Sequence, residues 1–198
     1  MDWQADLFRR LISAHYYAQA YAPALTVSQQ FQRTLADEFG EDDLVNQASL
    51  YSLTQQYRLA VAAHSALIAQ PVPVASAYNN RGYVYNLLEE YALAIPDFDQ
   101  AIALDAHTAF AYNNRGLARL RLGQPAESRA DIEHSLQLDA ANAHAHRNLG
   151  IWHFEHGAYP PALASLERAW QLEPDTPQLT DYLQQTRRHL GQSLGTDG

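Results

Sequence analysis

The feature that most constrains this chain is an internal repeat of 34 residues. Shifting the sequence by that length places residues 77–82 on residues 111–116 with six identities in a row, and a second shift reaches the related segment 145–150. A shift in the opposite direction reaches residues 43–48, where the match is weaker. The chain therefore contains four windows of equal length, 41–74, 75–108, 109–142 and 143–176.

Each window has the residue pattern of two amphipathic helices joined by a turn. Apolar residues recur every three or four positions, as at Tyr91, Ala94 and Phe98, which is the spacing of one helix face. Gly123 and Pro125 mark a joint inside a window, as helix breakers do. Small residues recur once in each helix and allow close approach of two helix backbones. These small residues are Ala48, Gly82, Gly116 and Gly150 in the first helices and Ala60, Ala94, Ser128 and Ala162 in the second helices. The predicted fold class is all-α.

The four windows resemble tetratricopeptide repeats (TPR), which are helix-turn-helix units of 34 residues. The resemblance covers residues 41–176 and implies a right-handed α-solenoid of antiparallel helix pairs, with the first helices on a concave face. Residues 1–40 are predicted to form another helical pair, without the repeat signature, that caps the array. Residues 177–191 are expected to form a C-terminal capping helix and residues 192–198 a flexible tail. The apolar face of the first helix is predicted to contain Trp3, Leu7, Leu11, Ala14 and Ala18.

One column of the repeat is uniform, because the sixth residue of every window is asparagine. The column consists of Asn46, Asn80, Asn114 and Asn148. Asparagine inside a helix costs up to about 0.7 kcal/mol relative to alanine, so its recurrence indicates that the amides have partners. A carboxamide can donate to and accept from a peptide backbone. The resemblance implies the same role, since many peptide-binding TPR domains hold the main chain of a ligand with a concave asparagine at this place.

Other residues predicted on the same face give the groove a mixed character. Aromatic and aliphatic side chains could hold apolar anchors, and the arginines could bind carboxylates. The predicted peptide-binding residues beside the column are Asn79, Asn113, Tyr83, Asn86, Phe110, Leu117, Arg121, His144, Arg147, Ile151 and Phe154. The alternative is that the asparagine amides bond to helix ends or to neighbouring repeats. A chaperone-type carboxylate clamp is disfavoured, because Val45 and Ser49 stand where the resemblance implies Lys and Asn.

Charge and composition argue against several classes of function. The 22 acidic and 13 basic residues give a formal net charge of -9, and the arginines are scattered, so nucleic acid is not an expected partner. The chain has no cysteine, which excludes thiolate metal sites and cysteine nucleophiles. No apolar run approaches the roughly 20 residues that cross a bilayer, and no secretory signal is recognisable. No membrane partner and a cytoplasmic location are therefore expected.

No motif in the sequence predicts catalysis or a cofactor. A phosphate loop, a dinucleotide fingerprint, a nucleophile elbow and the H-E-x-x-H zinc motif are all absent from the sequence. The clustered histidines His144, His146, His153 and His156 could suggest a metal site. Because His146 and His153 occupy the repeat positions of Tyr78 and Tyr85, packing is the favoured interpretation, and no metal site is predicted.

These observations predict a non-catalytic adaptor that binds an extended segment of a protein or peptide through the asparagine column. The alternative, of a different class, is a structural scaffold that joins partners through convex or end surfaces, including self-association. A structure separates the two, because a uniformly polar, solvated groove would favour the scaffold.

Overall fold

The computed structural model describes residues 3–72 and 74–191, and every regular element within these ranges is helical. The α-helices are α1 (Trp3–Tyr17), α2 (Tyr21–Thr34), α3 (Glu41–Leu53), α4 (Tyr57–Ile68), α5 (Ala75–Leu87), α6 (Tyr91–Leu104), α7 (Ala109–Arg121), α8 (Pro125–Leu138), α9 (Ala143–Glu155), α10 (Tyr159–Leu172) and α11 (Leu179–His189). A single 3-10 turn, Ala36–Glu38, precedes α3. The predicted all-α class is confirmed. The predicted tail, residues 192–198, lies outside the described residues.

A left-handed turn residue recurs at the spacing of the sequence repeat. These residues, with φ between 59° and 73°, are Gln55, Glu89, Gly123, Gly157 and Gly191. After each of the first four, the next backbone N–H donates to a carbonyl five residues before it, at 2.8 to 2.9 Å. This hydrogen bond closes the end of a helix. The 34-residue period is therefore a period of backbone geometry as well as of sequence.

The N-terminal pair, α1 and α2, has the same turn at a different spacing. Its left-handed residue, Gln19, lies 36 positions before Gln55. Its fully buried Ala24 likewise lies 36 positions before the fully buried Ala60. Residues 1–40 thus share the hairpin geometry of the windows, with two additional residues between Ala24 and Gln55. The additional residues explain why a shift of 34 does not find this pair.

The helices form two compact units, unit 1 (residues 1–90) and unit 2 (residues 91–198). In unit 1, α1 packs on α2, α3 on α4, and α4 on α5. Phe31 anchors its core, fully buried and stacked on Phe8 at 5.2 Å between ring centroids. The face of α1 that packs contains Ala5 and Ile12. The predicted apolar face of α1 does not pack and is exposed instead.

Unit 2 shows why the repeat needs small residues in its first helices. In this unit α7 packs on α8 and α9 packs on α10. A Cβ atom on Gly150 would lie 2.6 Å from Cγ of Leu166, and one on Gly116 would lie 2.7 Å from Cγ1 of Ile132. Both distances are far shorter than a carbon–carbon contact. The glycines therefore let each helix pair close tightly, which fixes the first helices that carry the candidate site.

Candidate peptide-binding surfaces

Unit 1 contains an open cleft between α1 and α3, with a volume of about 380 Å³. Its floor includes the buried apolar side chains of Ile12 and Leu50, beside the buried carboxylate of Asp43. Asn46, the first member of the asparagine column, is exposed and lines the cleft. The lining residues are Arg9, Ile12, Ser13, Tyr16, Tyr17, Asp42, Asp43, Asn46 and Leu50.

An ion pair holds the two walls of this cleft together. Arg9 donates to both carboxylate oxygens of Asp43 through Nε and Nη2, and the shortest distance is 2.7 Å. Asp43 also accepts a hydrogen bond from the backbone N–H of Gly40 at 3.1 Å, at the start of α3. The hydrogen bond to Asp43 raises the pKa of the Arg9 guanidinium above its usual value. The pair is structural, since two-point pairing of this kind fixes geometry.

The rim of the cleft offers several hydrogen-bonding groups. Asn46 and Asp42 are exposed on α3, and the side chains of Tyr16 and Tyr17 stand edge to face with ring centroids 6.2 Å apart on α1. An amide, a carboxylate and two phenols therefore surround the apolar side chains of the floor. Sequence reasoning missed Tyr16, Tyr17 and Ser13, because it treated α1 only as a cap. The sequence does contain one indication of their position: an offset of 36 residues aligns α1 with α3 and places Ser13 at the repeat position of Ser49.

The other candidate residues of unit 1 lie on α5. Nδ2 of Asn79 donates to Oδ1 of Asn80 at 3.2 Å, and both side chains are half-buried. Tyr83 is 45% exposed, whereas Asn86 is buried. Of these four residues, Tyr83 therefore offers the largest accessible surface to a ligand.

Unit 2 contains a relay of side-chain hydrogen bonds, the amide relay, formed by Asn113, Asn148 and Arg147. Nδ2 of Asn148 donates to Oδ1 of Asn113 at 2.8 Å and so joins α9 to α7. Nη2 and Nε of Arg147 donate to Oδ1 of Asn148 at 2.9 and 3.1 Å. Nη1 of Arg147 donates to the carbonyl oxygen of Pro177 at 3.2 Å, just before α11. The amide relay thus ties three parts of unit 2 together.

Burial changes the interpretation of several predicted contact residues in unit 2. The exposed fraction is 0% for Asn148 and Ile151 and 1% for Asn113. A side chain without exposed surface cannot touch a ligand bound at the surface, so these three residues support other residues rather than contact a peptide. Arg147 is also buried, and the amide relay occupies its donors. Asn148 therefore fits the alternative interpretation, in which the asparagine amides bond to groups of the protein itself.

An accessible face remains on α7. Phe110 is 51% exposed, and Asn114 and Leu117 are half-buried. Their spacing of four and three residues puts them on one side of the helix. Nδ2 of Asn113 donates to Oδ1 of Asn114 at a long 3.4 Å, so the amide relay ends at this face. We call Phe110, Asn114 and Leu117 the α7 face.

The remaining predicted residues of unit 2 contact its own side chains. Nη1 of Arg121 donates to Oε1 of Glu155 at 2.6 Å. Burial lowers the pKa of Arg121, but hydrogen bonds to Glu155 and Tyr182 outweigh it and leave that pKa raised. The ring of Phe154 lies 5.4 to 5.6 Å, between centroids, from three other rings of unit 2. These rings belong to Tyr159, Tyr182 and His189.

Of the clustered histidines of unit 2, His153 and His156 both lie against the ring of Trp152, whereas His144 and His146 have other contacts. Nε2 of His146 lies 3.0 Å from the carbonyl oxygen of Ala140, and His156 stacks on Trp152 with centroids 4.0 Å apart. Nε2 of His144 lies 3.7 Å from Oε2 of Glu173. Within residues 3–72 and 74–191, no group of three or more metal-ligating side chains has a suitable arrangement. No helix in the same part of the chain is both long and apolar enough to cross a membrane.

Comparison with known families identifies the repeat. Models described as "Tetratricopeptide repeat" match residues 75–107 and 111–142. The chain contains tetratricopeptide repeats. These two matches coincide with the second and third sequence windows. A comparison with curated proteins finds no match.

Solved structures confirm the TPR solenoid fold class. The chain matches the type IV pilus biogenesis factor PilW with a TM-score of 0.78 and 17% identity, covering 98% of this chain and 89% of PilW. It matches YrrB, described as a TPR protein with an unusual peptide-binding site, with a TM-score of 0.61 and 17% identity, covering 90% of each chain. It also matches the first TPR of Spaghetti (RPAP3) bound to the HSP90 peptide SRMEEVD, with a TM-score of 0.53 and 23% identity, covering 59% of this chain and 93% of that domain.

Proposed function

We propose that this TPR protein is a non-catalytic adaptor that binds an extended peptide segment of a partner protein. The observation that carries the proposal is the cleft of unit 1, where the exposed Asn46 stands above the apolar side chains of the floor. TPR structures similar in fold include one with a bound peptide and one described by its peptide-binding site, which agrees with this use of the fold.

The chemistry of the cleft suits a peptide better than a small polar metabolite. A peptide presents backbone N–H and C=O groups in alternation with side chains on opposite sides. The amide of Asn46 can bond to such a backbone in both directions, while Ile12 and Leu50 offer a place for one apolar side chain. Arg9 already holds Asp43, so Asp42 is the carboxylate of the cleft that remains exposed. A peptide with an apolar residue next to a basic one fits these features.

The α7 face is proposed as a second contact surface, in unit 2. Phe110 and Leu117 supply apolar area, and Asn114 supplies an amide between them. The buried column residue Asn148 and the buried Asn113 act here by fixing α7 against α9. In this proposal the asparagine column therefore has two roles, contact at Asn46 and Asn114 and positioning at Asn148.

Selection of peptides on the intact chain tests the proposal. A random library of short peptides is selected on the wild-type protein, and fluorescence anisotropy then measures the dissociation constant of each selected peptide for the variants Asn46→Ala and Asn114→Ala. One neutral hydrogen bond contributes about 0.5–1.5 kcal/mol, so we expect up to about tenfold weaker binding for the variant whose surface holds that peptide.

The matched control is Gln30→Ala, which removes an exposed amide from α2 in unit 1. It should leave the dissociation constant unchanged. Circular dichroism must show the same helical content for all variants. Selected peptides that bind wild type, Asn46→Ala and Asn114→Ala with equal affinity would show that neither surface is the binding site.

A further inference from the structure

The outer face of α1 is an exposed apolar stripe. Trp3, Leu7 and Leu11 have 71%, 48% and 41% of their surface exposed, and Ala14 continues the line. Their spacings of four, four and three residues put them on one side of the helix. Ala5 and Ile12, which are buried in unit 1, lie on the other side. We call Trp3, Leu7, Leu11 and Ala14 the α1 stripe.

This stripe differs from the exposed surface of α11, where Thr180, Asp181 and Arg188 face solvent. A helix face that meets only solvent is normally polar. A line of large exposed apolar side chains indicates a surface that another protein covers.

We propose that the α1 stripe binds the α1 stripe of a second copy, with the two helices antiparallel around a two-fold axis. Such an interface requires a surface that complements itself. When the pair is centred near residue 9, Leu7 of one copy lies opposite Leu11 of the other. The large Trp3 then lies near the small Ala14 of the other copy. In the antiparallel arrangement, the side chains that face each other across the interface therefore have complementary sizes.

The charges beside the stripe also match in this arrangement. Asp6 and Arg10 lie on the same flank of α1, with side chains 49% and 78% exposed, and they pair with each other at 2.8 Å. In an antiparallel pair the same flanks of the two helices meet. Asp6 of one copy then lies beside Arg10 of the other, and the reciprocal pair forms on the other side of the axis. In a parallel two-fold pair this flank would instead meet the opposite flank of the other copy, and Asp6 would not lie beside Arg10.

The proposed interface is small, because each copy contributes essentially one helix. It lies below the roughly 1,600 Å² of a standard protein interface, so the dimer should exchange with monomer and form at high protein concentration. The proposal does not depend on peptide binding, since none of the four stripe residues lines the cleft.

Charge reversal tests the proposal with the intact chain. Sedimentation velocity over a wide range of concentrations measures the dimer dissociation constant. Asp6→Arg and Arg10→Asp should each raise that constant at least about tenfold, because like charges then meet across the axis. An equimolar mixture of these two variants should form a heterodimer at least as tight as the wild-type dimer. The double variant should also dimerise like the wild type.

An apolar control separates this interface from general stickiness. Leu7→Glu should abolish the dimer, whereas Leu59→Glu changes a leucine of nearly equal exposure, 47%, on α4 of the same unit and should leave it intact. A wild-type chain that stays monomeric at every concentration overturns the proposal. So does a dimer that Asp6→Arg and Arg10→Asp leave unchanged, or a mixture of the two that fails to associate. Circular dichroism checks that each variant is folded.

Discussion

The two units use one repeat design with different residues at two key places. The left-handed residues that follow a helix are Gln19, Gln55 and Glu89 in unit 1 but Gly123, Gly157 and Gly191 in unit 2, where the other left-handed residue, Gln178, precedes α11. Glycine adopts this conformation without cost, and other residues do not. The asparagine column differs at its two ends, because Asn46 in unit 1 is exposed while Asn148 in unit 2 is fully buried, and Asn80 and Asn114 between them are both half-buried. Unit 2 thus uses its turn glycines and Asn148 for order, whereas unit 1 leaves Asn46 open to solvent.

The difference at the asparagine column arises from its neighbours. In unit 2, Asn148 has Arg147 beside it and Asn113 on the preceding first helix, and both bond to it. In unit 1, the residue beside Asn46 is Val45, which offers no side-chain hydrogen bond. The same residue type at the same repeat position therefore has different roles, and the neighbouring side chains determine which role it has.

The largest expected effect is on Asn148. Replacing it by alanine leaves a buried amide, Asn113, and a buried guanidinium, Arg147, without their shared partner. We expect Asn148→Ala to lower the free energy of unfolding by about 2–3 kcal/mol, since hydrogen bonds to charged groups are the costly ones to lose. Urea denaturation of the full chain measures this. Asn46→Ala is the matched comparison and should change stability by less than about 0.5 kcal/mol. Equal losses for the two variants would remove the distinction between open and buried column members.

The turn residues give a prediction of intermediate size. Replacing a non-glycine turn residue by glycine, and a turn glycine by alanine, should shift the free energy of unfolding in opposite directions. Glu89→Gly should stabilise by up to about 1 kcal/mol, and Gly157→Ala should destabilise by about 1 kcal/mol, because a Cβ is unfavourable at positive φ. Thermal unfolding followed by circular dichroism provides the measurement. If Gly157→Ala were neutral, the turn of unit 2 would not depend on glycine.

Ser128 gives another prediction of about the same size in unit 2. Its hydroxyl is buried and has no hydrogen-bond partner among the described residues, while the corresponding residues Ala60, Ala94 and Ala162 lack the hydroxyl. Ser128→Ala should therefore stabilise the chain by about 1 kcal/mol, through removal of an unsatisfied group. Chemical denaturation would contradict this if the variant were less stable than wild type.

The smallest expected effect concerns pH. Burial and the nearby Arg147 lower the pKa of His144 below its ordinary value of 6.5, against the opposing effect of Glu173. The unfolded chain then binds a proton more readily than the folded chain, so this histidine lowers stability as the pH falls below about 6.5. Above that pH it is neutral in both states and has no effect. The variant His144→Gln should show a shallower loss of stability between pH 6.5 and 5, and an unchanged slope would contradict the proposed cause.

The sequence was sufficient to predict the fold, because the 34-residue period constrains backbone and packing together. It predicted the helix pairs, the close approach at Gly116 and Gly150, and the TPR family. It did not predict which asparagines are open, since that depends on pairs such as Asn113 with Asn148, 35 residues apart. It also identified Trp3, Leu7 and Leu11 as the apolar face of α1, whereas Ala5 and Ile12 are the residues of α1 that are buried. Large apolar side chains at helical spacing are easy to recognise in a sequence, whether or not they are buried.

The regular turn geometry has a consequence for engineering. A segment cut after two successive left-handed turn residues, such as 124–157, begins and ends at equivalent points of the backbone. Deleting or duplicating such a segment brings together ends that already match, so one whole module can be removed or added without a new linker. Because modules of this kind contact mainly their sequence neighbours, the length of the array is a variable that can be changed in steps of one hairpin.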